Sequence, residues 1–65
     1  MTPAEMTERL ASALARLKMA RSDINEVLCA CPWISSDAEL ELARAFNFAL
    51  KAEICVEKAS YGDDD

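Results

Sequence analysis

The residues able to do chemistry are few in this chain, and most of them crowd into one place. In the stretch CACPWISSDAEL, residues 29–40, Cys29 and Cys31 stand one residue apart and just ahead of the only tryptophan, Trp33. With Cys55 and a carboxylate they would make four ligands for zinc. Zinc sites, however, pair their cysteines at C-x2–4-C spacing and often use histidine, and this chain has no histidine. A disulfide across C-x-C would strain a helical turn. On the fold argued below, Cys55 lies about 25 Å from Cys29, far outside the ~7 Å Cα separation that a disulfide spans. The expectation is three reduced cysteines, no metal and no cofactor.

Paired carboxylates are the other candidates. Glu39 with Glu41, and Glu53 with Glu57, stand close in sequence, but nothing suggests a pocket that would hold either as an acid–base pair. They read more simply as a capping acid and solvated positions, with Glu53 and Glu57 as rim charges beside an apolar ridge. There is no glycine-rich phosphate loop and no nucleophile elbow. The pattern points away from an enzyme.

The elements that position these residues are legible. Fifty-two per cent of the 65 residues are hydrophobic, with one glycine and two prolines, and the abundant alanine, leucine, glutamate and arginine are strong helix formers. Thr2-Pro3-Ala4-Glu5 has the form of a capping box with proline at the first helical position. From there Met6, Leu10, Ala13, Leu17, Ala20, Ile24, Val27 and Cys31 follow one another by fours and threes, a heptad seam, with Leu14 and Leu28 widening it. Pro32 ends this helix. Ser36-Asp37-Ala38-Glu39 reads as a second capping box, and a second seam follows: Ala38, Leu42, Ala45, Ala49, Ala52, Val56 and Ala59.

The reading is therefore all-α: an antiparallel two-helix hairpin, pairing as a homodimeric four-helix bundle. One domain covers residues 1–61, with a helix over about 3–30, a corner at 31–36 and a helix over about 37–60. Gly62 is placed to end the second helix, and residues 62–65 form an acidic tail expected to be disordered. Leu10, Leu17, Ile24 and Val27 are expected to pack within the chain against Ala45, Ala49, Ala52 and Val56, whose small side chains allow close approach. A separate ridge, Leu42, Phe46, Leu50 and Ile54, with Tyr61 near it, is left for a protein interface. Trp33 is read as a plug over the hairpin end or as an interface anchor.

Charge narrows the partners. Of the net charge of −5, residues 1–34 contribute nothing, with four basic and four acidic side chains, and residues 35–65 carry three basic against eight acidic. That excludes the basic footprint of direct nucleic-acid binding and gives no attraction to anionic membranes. No signal peptide is expected, so the expected location is cytoplasmic. The function that fits is a small helical protein-binding regulator, an adaptor or inhibitor of the general form of small phage- or mobile-element-encoded regulators, which dimerises and masks a surface of an unidentified larger protein. An acidic nucleic-acid mimic is the alternative, and a structural or assembly subunit whose only partner is itself is a third reading.

Overall fold

The computed structural model describes residues 1–60; Tyr61, Gly62 and the Asp63–Asp65 tail lie outside the described residues. The chain is all-α, with helix α1 over Pro3–Ala30 and helix α2 over Ser36–Ser60 packed back along it as a hairpin.

Local chemistry sets each boundary. At the start of α1 the Thr2 hydroxyl accepts from the Glu5 N–H at 3.1 Å while the Thr2 N–H donates to the Glu5 carboxylate at 2.8 Å, so two otherwise orphaned amides are satisfied reciprocally. At the other end the Cys31 N–H donates to the Val27 carbonyl at 2.9 Å, and Cys31 leaves the helical region with φ −122°. Pro32 has no N–H with which to continue the ladder. The chain turns over Pro32 and Trp33, closed by the Ile34 N–H donating to the Cys31 carbonyl at 3.2 Å.

The cap of α2 sits one residue earlier than the sequence suggests. Ser35, not Ser36, accepts from the Ala38 N–H at 3.1 Å through its hydroxyl, and its carbonyl accepts from the Glu39 N–H at 2.9 Å. Because the turn already closes at Ile34, Ser35 is free to cap and Ser36 joins the helix. The third helical residue is then Ala38, which has no side chain able to complete a reciprocal box. Asp37 and Glu39 still occupy the first turn, at the positive end of the helix dipole. Ser35→Ala should cost about 1 kcal/mol in denaturant unfolding and Ser36→Ala a few tenths at most. The reverse ranking would return the cap to Ser36.

The two helices meet along Leu10, Leu14, Leu17, Ile24, Leu28 and Cys31 of α1 and Ala38, Leu42, Ala45, Ala49, Ala52 and Val56 of α2, all half-buried. The α2 side is the expected small-residue seam. On α1 the seam is turned: Ala20 and Val27 are exposed, and Arg21 and Leu28 take the inward places. Burying Leu14 and Leu28 removes more apolar area from water than burying Ala20 and Val27 would, and the alanine seam of α2 leaves room for them. Val27 is thus an edge residue and not a packing one.

The hairpin is a rod, 47 × 21 × 15 Å, with a Cα radius of gyration of 15.0 Å. A compact chain of this length would have about 11 Å. Its accessible surface is 5052 Å², whereas a compact monomer of this mass exposes about 4,100 Å². Among the described residues no apolar side chain is fully buried. Two helices side by side have no third element to close over their shared groove.

Candidate interaction surfaces

The one fully buried residue among those described is a carboxylate. Glu53 is 5% exposed, and Arg21 grips it from α1, Nε to Oε2 at 2.5 Å and Nη2 to Oε1 at 3.2 Å. The guanidinium also lies over the Phe46 ring, its Cζ 5.6 Å from the centroid. Side chains on a helix lean toward its N-terminus. In an antiparallel pair those leanings oppose each other, so Arg21 and Glu53 converge although their backbones are at different levels. The hydrogen bond to Glu53, reinforced by its charge, holds the Arg21 pKa above the ordinary arginine value against the opposing effect of burial. A raised pKa on a base contributes stability that is complete below the unfolded value and lost only above the folded one. For Arg21 that loss falls in strong alkali, so the cation is constant across neutral pH.

This cluster replaces the expectation of Glu53 as a solvated rim charge. The sequence does hold a signal for it. Leu10, Leu14, Leu17, Arg21, Ile24 and Leu28 form an unbroken four-three series in which Arg21 is the only charge, and Glu53 stands seven residues from Phe46 on one helical stripe. A cation in an apolar seam needs an anion across from it.

The expected interface residues are distributed differently from one another. Leu42 is half-buried in the seam against α1, and Phe46 is half-buried under Arg21. Leu50 and Ile54 remain exposed at 39% and 46%. Trp33 is 79% exposed, so it does not plug the hairpin end; Ile34 takes the inner position. Pro32 and Trp33 are the two central residues of the turn, and central turn residues project away from the chain reversal. Tyr61 lies outside the described residues. Phe48 and Leu40 are also large and exposed.

Cys29 and Cys55 are exposed free thiols and Cys31 a half-buried one. Among the described residues no three cysteine or acidic side chains come together as a metal site, and no helix is long and apolar enough to cross a membrane. An open polar depression runs along the first turns of α1 past Glu5, Glu8, Arg9, Ser12 and Arg16. It is a groove on a single helix face, with nothing enclosing it.

The closed end of the hairpin has a charge of one sign. Between Arg21 and Arg44 the chain carries Asp23, Glu26, Asp37, Glu39 and Glu41 and no basic residue. Arg44 is itself engaged by Glu41 at 3.0 Å on the solvent face. What is defined, then, is a class: a bare helical hairpin with a part-buried ion pair, exposed apolar edges and an anionic, tryptophan-bearing tip. Compared with known proteins, the chain matches no family model, no curated protein and no solved structure.

Proposed function

We propose that the protein is a non-enzymatic, protein-binding regulator that self-associates as a homodimeric four-helix bundle and masks a surface of a larger partner. The observation that carries this reading is that, among the described residues, no apolar side chain is fully buried while large ones are exposed on the same hairpin. In a chain of this size a lone hydrophobic core is marginal, and a staple or a second subunit adds the missing stability. Trp33 is the contact assigned to the partner: an aromatic side chain on a turn offers large area at little entropy cost, and tryptophan is enriched in binding hot spots. The five acidic residues around it favour a partner surface with basic residues around an apolar pocket.

The test compares wild-type protein and Trp33→Ala as baits in lysate of the native host, at low and high salt. A discrete protein retained at high salt by the wild type and weakened about 30-fold by Trp33→Ala is the expected result. Partners that are nucleic-acid-binding proteins and are released by salt would replace this reading with charge mimicry. Recovery of nothing but the chain itself would leave a self-assembling structural subunit.

A further inference from the structure

The α2 face turned away from α1 carries a second heptad seam. Leu40, Ala43, Asn47, Leu50 and Ile54 follow by threes and fours. Leu40, Leu50 and Ile54 are 52%, 39% and 46% exposed, and Asn47 is exposed between them. With Leu40, Asn47 and Ile54 at a positions and Ala43 and Leu50 at d, the flanking e positions are all cations: Arg44, Lys51 and Lys58. The g positions are Glu39, Phe46 and Glu53.

We propose that this seam pairs with the same seam of a second copy as a parallel, in-register two-stranded coiled coil, with the two α1 helices on the outside. The proposal rests on the self-association above and specifies its face and direction. Three observations argue for it. In a parallel pair each g residue meets the e residue five places on in the partner, so Glu39 meets the partner's Arg44 and the Phe46 ring lies along the stem of the partner's Lys51. Glu53 stays with Arg21. An antiparallel pair sets e against e, bringing Arg44 toward the partner's Lys51, like charges. Second, a single asparagine at an a position fixes register and two-strandedness, because only in register does Asn47 meet its own copy and share amide hydrogen bonds with it. Third, the surface in excess of a compact monomer matches the ~800 Å² that each partner contributes to a standard interface. The face of α1 opposite its packing seam offers nothing equivalent: Met19 stands there among Ala15, Arg16, Ser22 and Asp23.

The experiment uses the full chain with Cys29, Cys31 and Cys55 changed to serine and Leu40→Cys added, in a glutathione redox buffer, with mass by sedimentation equilibrium. In a parallel pair position 40 faces itself, and Leu40→Cys should form a disulfide-linked dimer at least ~10-fold faster than a Ser22→Cys control on the outer face of α1. In an antiparallel pair a positions face d positions, and position 40 faces the partner's Glu57. A dimeric mass with Leu40→Cys no faster than the control, or linking only to Glu57→Cys when the two are mixed, overturns the seam and its direction while self-association stands. A monomeric mass at about 100 µM, well above the working range of a specific dimer, overturns both. Asn47→Leu gives a second reading that does not depend on a disulfide: association should tighten and species larger than a dimer should appear. Unchanged mass and affinity would place Asn47 outside the interface and overturn the seam.

Discussion

Leu50→Glu is expected to convert the protein to a monomer at micromolar concentration and to lower the melting temperature by about 10–20 °C. Leu50 is 39% exposed on the hairpin, so in an isolated hairpin the change would be near neutral. In the pair it occupies a central d position beside Ala43 and Ile54. Substitution there forfeits apolar burial of about 2 kcal/mol in each protomer and sets two carboxylates opposite each other in a dry seam. The wild-type melting temperature should itself rise with concentration, as folding linked to association requires. A Leu50→Glu protein with unchanged mass and melting temperature would show that this side chain faces water in the functional form. Melting curves at several concentrations, run with sedimentation, separate the two.

The second large effect is an asymmetry. Arg21→Ala should lower the melting temperature by on the order of 10 °C, and Glu53→Ala by distinctly less. The partners are unequal in exposure: side-chain accessibility is 31% for Arg21 and 6% for Glu53. Without Glu53, the arginine swings its head into water and keeps its stem on Phe46. Without Arg21, the carboxylate has no such route and remains buried without its counter-charge. Arg21→Lys should fall between wild type and Arg21→Ala, since an ammonium keeps the charge and loses the two-pronged grip. Replacing both by leucine should restore or raise the melting temperature while loosening the choice of register between the helices. Equal losses in the two single variants would show that the pair is solvated in solution.

The caps and the corner were written in local chemistry. Thr2, Pro3 and Glu5 specify the start of α1 through bonds within one turn, and Pro32 specifies its end by the N–H it lacks. Such signals act over three or four residues, so they can be read without knowing what lies across the fold. The choice between Ser35 and Ser36 was already less legible, because it depends on where the preceding turn closes.

The rotation of α1 was only partly legible. Met6 to Cys31 and Leu10 to Leu28 are two four-three series that share Leu10, Leu17 and Ile24 and differ by one residue at the places between, Ala13, Ala20 and Val27 against Leu14, Arg21 and Leu28, and both satisfy the heptad pattern. Only the surface of α2 chooses between them. It presents an alanine trough wide enough for Leu14 and Leu28 and a carboxylate at Glu53 within reach of Arg21. The same choice buries Phe46 under a guanidinium and leaves Leu50 and Ile54 uncovered.

The sequence alone determined that this protein is two helices reversed at a proline corner, because that property follows from residue type and short-range spacing. Tertiary structure alone decided which stripe of α1 faces inward, that Glu53 is buried and not a rim charge, and that Trp33 projects from the tip and does not close it. The first two outcomes depend on what lies across the helix interface, a neighbour separated in sequence by tens of residues, and the third on where the turn closes.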